Sequence, residues 1–168
     1  MHSATRQQNF ERVLAHYGPA LARLAGAYES RRALRDELQQ EIALALWQAL
    51  PAFRGESSEK TFVFRVATNR ALTHIAQRGP AQQDLDSALE VPDGRDGPET
   101  RASATQESAR LVAAVAALPL SLRQVVSLAL EGLDHAEIAN VLGLTENNVA
   151  VRMHRGKAAL RERLGASR

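Results

Sequence analysis

The sequence of 168 residues contains no cysteine and has only one tryptophan, two tyrosines and four phenylalanines. Without cysteine, a disulfide scaffold, a thiol nucleophile and a thiolate zinc site are all excluded. No apolar run approaches the roughly 18 residues that a membrane span needs, and the N-terminus shows no apolar signal-peptide core. These absences favour a soluble protein of a reducing compartment, which we expect to be the cytoplasm.

The motifs of common catalytic and cofactor sites are also missing. The five histidines are scattered, at positions 2, 16, 74, 135 and 154. They therefore do not supply the pair of histidines, close together on one helix, that can bind a metal ion. No Ser-His-Asp arrangement and no glycine-rich phosphate loop stands out. The sequence therefore predicts a protein that is not an enzyme, with no catalytic residue, no metal and no cofactor.

Charge is distributed unevenly along the chain, although the net charge is only +2. Residues 80–105 contain six acidic side chains against two arginines, together with three prolines, which predicts a flexible acidic linker. Residues 145–168 contain six Lys and Arg against two Glu. We therefore expect an N-terminal domain over 1–79, a linker over 80–104 and a C-terminal domain over 105–168.

Apolar residues recur every three to four positions on both sides of this linker, and no segment shows the two-residue alternation of a half-buried strand. The predicted fold class is all-α, with two small helical domains. In the first domain, Gly18-Pro19 is expected to kink or break one helix, and Pro51 to follow the end of the next. In the second domain, Ser121 is expected to cap the helix that follows Pro119.

The strongest local signals lie between residues 134 and 160. Asp134 and Glu137 have the spacing of a reciprocal helix cap. Gly143 permits the left-handed turn that ends a short helix, and Thr145 can cap the next helix. Two helices joined in this way, of which the second is basic, are typical of a helix-turn-helix, whose second helix enters the major groove of DNA.

Polar side chains in the second of these helices fall into two groups. Asn147 and Asn148 lie in its first turn, where amides can pair with base edges. Arg152, Arg155 and Lys157 lie further along, where cations suit phosphates. A structural alternative stays open, because glycine turns are common in helical bundles and an arginine-rich terminal helix is usually a solvated face.

Two segments of the first domain have distinctive polar faces. Residues 36–41 place acidic and amide side chains near a helix start, where they would at least complement the helix dipole. Residues 53–78 are basic and contain two phenylalanines, a combination that can bind unpaired bases and a single-stranded backbone. Phe62 has the spacing of a core residue. Exposure is expected instead at four positions, namely Phe64, Asn69, Arg70 and His74.

Together these segments resemble bacterial RNA polymerase sigma factors of the extracytoplasmic-function group. The resemblance rests on three motifs in the same order: DELQQEIALALW, FRGESSEKTFVFRVATNRALTHIAQR and ALPLSLRQVVSLALEGLDHAEIANVLGLTENNVAVRMHRGKAALRERL. It implies that the first domain docks on core polymerase and recognises the minus-ten promoter element. It implies that the second domain recognises the minus-thirty-five element.

The resemblance and the residue patterns described above together assign individual residues to three surfaces. The polymerase-binding set is Asp36, Glu37, Leu38, Gln40, Glu41 and Trp47. The minus-ten set is Arg54, Lys60, Phe64, Arg65, Asn69, Arg70 and His74. The minus-thirty-five set is Thr145, Asn147, Asn148, Val151, Arg152, Arg155 and Lys157.

The partners that the resemblance implies are promoter DNA and core RNA polymerase, through the clamp helices of its largest subunit and its flap. An anti-sigma protein is a further candidate partner, and insertion into a membrane is not expected. The alternative is a stand-alone helix-turn-helix regulator, or a protein-binding adaptor, without sigma activity. A repressor has no need of the acidic helix over residues 36–47, and repressors normally dimerise on palindromes.

Overall fold

A computed structural model describes residues 2–79 and 99–166, which form helices and turns and contain no strand. The helices are α1 (His2–Tyr28), α2 (Arg32–Ala49), α3 (Glu59–Arg78), α4 (Glu99–Ala116), α5 (Leu120–Leu130), α6 (His135–Leu142) and α7 (Glu146–Gly165), with a short 3₁₀ turn over Leu50–Ala52. The predicted all-α class is confirmed. None of the helices in these two ranges combines the length and apolar character that crossing a bilayer requires.

The N-terminal half is a three-helix unit whose apolar faces meet in the middle. Leu24 of α1, Leu38, Ile42 and Leu46 of α2 and Phe64 of α3 are all buried in it. Their spacing of three to four residues is what places them on one face of each helix. The boundary between α2 and α3 follows the sequence, because Pro51 lies just past the end of α2 and the Ser58 hydroxyl accepts the Thr61 amide at the start of α3.

The C-terminal half contains the predicted helix-turn-helix, formed by α6 and α7. The Asp134 carboxylate accepts the Glu137 amide at 2.8 Å, and the Glu137 carboxylate accepts the Asp134 amide at 2.8 Å, so the reciprocal cap is confirmed. Gly143 ends α6 with a left-handed φ of 68°. The Thr145 hydroxyl accepts the Asn148 amide at 3.1 Å and begins α7.

Helix α1 is not broken at Gly18-Pro19, because its packing against α2, α3, α4 and α5 outweighs one lost backbone hydrogen bond. Two other local predictions were wrong. Ser121 lies inside α5, and the helix begins after Pro119, whose carbonyl accepts two amides. Helix α4 begins at Glu99, so the last six residues of the predicted linker are helical; its other residues, 80–98, lie outside the described ranges.

Both halves contribute to one continuous apolar core. Tyr28, at the end of α1, is buried against α5. Burial raises the pKa of Tyr28 to about 12, while Ser127 and Arg123 of α5 act in the opposite direction. Helix α3 packs on α6, and α1 packs on both α4 and α5. The two predicted domains are therefore in direct contact.

One close helix contact depends on a glycine. A Cβ at Gly156 of α7 would lie 2.6 Å from Val126 Cγ2 and 4.0 Å from Leu122 Cβ, both on α5. Val126 is itself buried, so it has little room to move. The absence of a side chain at Gly156 therefore allows α7 to lie close against α5.

We expect Gly156→Ala to lower the free energy of unfolding by about 1–2 kcal/mol, because the crowding cost exceeds the roughly 1 kcal/mol by which alanine favours a helix. Urea denaturation measures the change. Gly165→Ala on the same helix is the matched control, since nothing lies within 4 Å of a Cβ there. Equal or greater stability in Gly156→Ala than in the control would contradict the close contact.

Candidate functional site

Helix α2 presents an acidic and amide face on the side opposite its core residues. Asp36, Glu37 and Gln40 are exposed, whereas Leu38 is fully buried in the three-helix unit. Glu41 is only half-exposed because it faces α3. Of the predicted polymerase-binding set, the structure therefore brings three side chains to the surface on one face. It assigns Leu38 to the core beneath them.

Trp47 lies at the far end of α2 and packs against α1. Its ring meets Phe10 edge-on at a centroid distance of 5.2 Å, and the Arg6 guanidinium lies 4.4 Å from the ring centroid. Arg6 also donates to the Trp47 carbonyl at 3.0 Å. These contacts leave Trp47 half-buried, so it fixes the position of α1 on α2.

A network of charged side chains joins the end of α1 to α2 and α3. Its centre is Glu29, which is 2% exposed. One Glu29 carboxylate oxygen lies 3.1 Å from His74 Nε2 and also accepts from Arg78, and the other accepts the Arg31 amide at 3.2 Å. Because a buried carboxylate is stable only when its oxygens are paired, this cluster sets the position of α3.

The same network continues outwards through Glu41. Its carboxylate oxygen lies 3.5 Å from His74 Nδ1 and accepts from Arg70 Nε at 3.2 Å. A residue predicted to bind polymerase and two residues predicted to bind DNA are therefore linked directly. Glu29 was not predicted from the sequence, because acidic residues are almost never fully buried unless they are paired and no neighbouring residue identifies the pairing.

Helix α3 presents fewer of the predicted residues to solvent than expected. Phe64 is 2% exposed and His74 is 5% exposed, so the prediction that both are on the surface was wrong. Phe64 packs against Tyr17 of α1, with ring centroids 6.3 Å apart. Phe62, predicted to be a core residue, is half-buried and packs against the core, with its ring centroid 4.7 Å from that of Phe53. The spacing of the two phenylalanines therefore predicted Phe62 correctly but not Phe64.

The remaining predicted cations and amides of this region are accessible to different degrees. Arg54 and Asn69 are exposed. Lys60 and Arg65 are half-exposed, and both contact α6. Asn69 and Arg70 also line an open groove of about 420 Å³ between α2 and α3. The groove lies where the exposed face of α2 meets that of α3.

The first turns of α7 bury Val149 in the core and present their other face to solvent. Asn147, Asn148 and Val151 are exposed, and the Asn148 amide oxygen accepts from Arg152 Nε at 3.1 Å. Arg155 and Lys157 are exposed further along the helix. The Thr145 hydroxyl already accepts the Asn148 amide in the helix cap. The structure thus presents amides near the start of α7 and cations after them, in the order that the sequence predicts.

Comparison with known protein families divides the chain in the same way. Residues 13–80 match the family model for sigma-70 region 2, and residues 108–160 match the family model for sigma-70 region 4. The first match spans the helices that carry the acidic face and the groove. The second spans the helix-turn-helix.

Individual relatives can be aligned with nearly the whole chain. The RNA polymerase sigma factor CnrH of Cupriavidus metallidurans is 30% identical over 95% of this chain and 88% of its own. The ECF RNA polymerase sigma-E factor of Salmonella typhimurium is 27% identical over 92% and 85%. The solved structure of sigma factor RpoE from Bartonella quintana, in complex with the anti-sigma factor NepR, has a similar fold, with a TM-score of 0.74, 19% identity and coverage of 96% and 99%. The chain therefore belongs to the extracytoplasmic-function group of RNA polymerase sigma factors.

Proposed function

We propose that this sigma factor acts as a cytoplasmic transcription initiation factor and not as an enzyme, and that it divides its contacts among three helices. It binds core RNA polymerase, directs it to specific promoters and assists DNA opening. The observation that carries the division is the separation of an acidic and amide face on α2 from the exposed amides and cations on α7. A stand-alone helix-turn-helix regulator would not account for the region 2 match over residues 13–80.

Helix α2 is the proposed docking surface for the clamp helices of the polymerase largest subunit. Asp36, Glu37 and Gln40 are exposed side by side, while Leu38 holds the helix on its own core. Glu41 contributes at the edge of this face, where Arg70 already pairs with it. Exposed acidic groups of this kind steer association with a basic partner and fix its register.

Helix α3, together with Arg54 in the segment before it, is the proposed contact with the minus-ten element. Arg54, Lys60, Arg65, Asn69 and Arg70 supply the cations and amides that a DNA strand requires. Phe64 and His74 support this surface from within the three-helix unit instead of touching DNA themselves.

Helix α7 is the proposed reader of the minus-thirty-five element. Asn147 and Asn148 are exposed in the first turn, where a helix entering the major groove presents side chains to base edges. Val151 is exposed and can contact a thymine methyl group. Arg155 and Lys157 lie about two to two and a half turns after Asn148 and suit phosphates. Arg152 orients Asn148 through their hydrogen bond.

An anti-sigma protein is the proposed regulatory partner. The Bartonella quintana factor of similar fold was solved with such a protein bound. By analogy with that complex, we assign the anti-sigma protein to regulation.

Reversing charge on the α2 face should weaken binding to core polymerase by about tenfold or more, which corresponds to ~1.4 kcal/mol. The double variant Asp36→Lys/Glu37→Lys tests this, because both side chains are exposed and their replacement should cost under about 0.5 kcal/mol of stability each. Fluorescence anisotropy with labelled chain measures the affinity. Glu11→Lys, which reverses one exposed acidic charge on α1 outside this face, is the control. Undiminished binding by the double variant would remove α2 from the interface.

Substitutions along α7 should separate base recognition from phosphate contact. Asn148→Ala should lose about 1–3 kcal/mol of preference at one or two base positions. Arg155→Ala should weaken all promoters alike and lower the salt dependence of binding by about one phosphate contact. Titrations on a wild-type site and its single-base variants distinguish these outcomes, with the exposed Arg161→Ala as the control near the end of the helix. Uniform loss in Asn148→Ala would show that Asn148 reads no base.

A further inference from the structure

Helix α2 changes character along its length. Its exposed side chains near the start are acidic or amide, whereas residues 42–49 carry no charged side chain. The last two turns of α2 form one wall of the open groove of about 420 Å³ that α3 completes. This end of α2 therefore has no carboxylate that would repel a phosphate backbone, unlike the acidic face that precedes it.

The groove combines an aliphatic surface with polar groups from both helices. Ala45 and Ala49 of α2 and Val66 of α3 supply the aliphatic part, and all three are half-buried. Gln48 of α2 and Asn69 of α3 supply two exposed carboxamides. Within the ranges that the structure describes, neither carboxamide makes a hydrogen bond. Each therefore keeps its donors and its acceptor available to a ligand.

One cation and one hydroxyl complete the lining of the groove. Arg70 Nε donates to Glu41 at 3.2 Å, which holds the guanidinium where the groove adjoins the acidic face of α2. The Thr73 hydroxyl donates to the Asn69 carbonyl at 3.0 Å and is thereby held within α3. No lining residue among those described is acidic. A DNA strand can therefore approach this groove without meeting a like charge.

These groups match the edge of one particular base pair. In the major groove, adenine presents the N6 donor beside the N7 acceptor, and a Gln or Asn carboxamide pairs with both. The thymine of the same pair presents a methyl group, which suits an aliphatic surface. The volume of about 420 Å³ lies within the range of roughly 300–1,000 Å³ that is typical of pockets for small organic groups, so the edge of one pair has room there.

We propose that Gln48 is a specificity-determining residue for promoter recognition, which reads the adenine of one A·T pair at an edge of the minus-ten element. The inference rests on the proposed role of α3 as the minus-ten contact. It gives α2 two roles, because Asp36, Glu37 and Gln40 face polymerase while the last turns of the helix extend the DNA surface of α3. The sequence motifs assign no DNA contact to α2, so this role is visible only in the shared groove.

Base preference is measured on a promoter that the wild-type chain uses, with its minus-ten region randomised in a pool of double-stranded DNA. Core polymerase and the chain transcribe the pool, and barcodes in the transcribed region report the base frequencies at each position. Gln48→Ala should lower the preference for adenine at one position by about fivefold or more, since a bidentate amide contact discriminates by at least that much. Preferences at the other minus-ten positions should stay as in the wild type.

The substitution Gln48→Glu separates base reading from a structural role. The carboxylate keeps the size of the side chain but only accepts hydrogen bonds, so it suits the N4 amino group of cytosine instead of adenine. We expect the preferred base at the same position to change from adenine to cytosine. A side chain that only packed against its neighbours would not change the identity of the preferred base. Circular dichroism melting shows that each variant is folded.

Two further variants serve as controls. Gln77→Ala removes an exposed carboxamide from α3 outside the groove, and it should change neither the base frequencies nor the affinity for core polymerase. Gln40→Ala removes an exposed carboxamide from the acidic and amide face of α2, and it should weaken core binding in fluorescence anisotropy without changing the base frequencies. Gln48→Ala should bind core polymerase as tightly as Gln77→Ala.

An unchanged preference for adenine in Gln48→Ala would overturn the inference. Weaker core binding by Gln48→Ala with the wild-type base frequencies would also overturn it, and would assign the groove to the polymerase interface. A wild-type chain that directs no promoter-dependent transcription would instead contradict the proposed function, and the inference with it.

Discussion

The N-terminal half is organised around a carboxylate that is kept almost out of contact with water. Glu29 can remain buried only because His74, Arg78 and the Arg31 amide surround its oxygens. Removing one partner of such a cluster typically costs about 3–5 kcal/mol, since the remaining charge is left unpaired. The end of α1, the start of α2 and the C-terminal half of α3 are therefore held in one arrangement.

This arrangement determines which side chains remain available for partners. Glu41 and Arg70 extend the buried cluster to the surface, so the acidic and amide face of α2, proposed to bind polymerase, meets the face of α3 proposed to bind DNA at a shared ion pair. Asp36, Glu37 and Gln40 lie outside that pair and are free to contact another protein. The helix-turn-helix half contacts α3 through Lys60 and Arg65, which pair with Glu137 and Asn140 of α6.

Local rules predicted the parts of the fold that depend on neighbouring residues. The reciprocal cap of Asp134 and Glu137, the left-handed Gly143 and the Thr145 cap were all confirmed, because each depends on groups three residues apart or on one backbone angle. The exposed positions of Asn147 and Asn148 followed from the Thr145 cap, because the cap fixes where α7 begins. Family membership was likewise predicted from three motifs in order and is confirmed by the region 2 and region 4 matches.

Features that depend on distant residues were not predictable in this way. Phe64 was expected at the surface, and its burial depends on Tyr17, 47 positions earlier in the sequence. The burial of His74 depends on Glu29, and the contact between the N-terminal half and the helix-turn-helix half depends on the ion pair of Arg23 with Glu131. No periodicity within one helix encodes which face another helix will cover, so these pairings required the folded structure.

The central property of this sigma factor is that it gives core RNA polymerase a promoter specificity that polymerase lacks alone. The direct measurement is transcription of fragmented genomic DNA by purified core polymerase with and without the chain, followed by sequencing of the RNA 5′ ends. We expect start sites that appear only with the chain and share two upstream motifs at a fixed spacing. An unchanged set of start sites, or new starts without a common pair of motifs, would contradict the account.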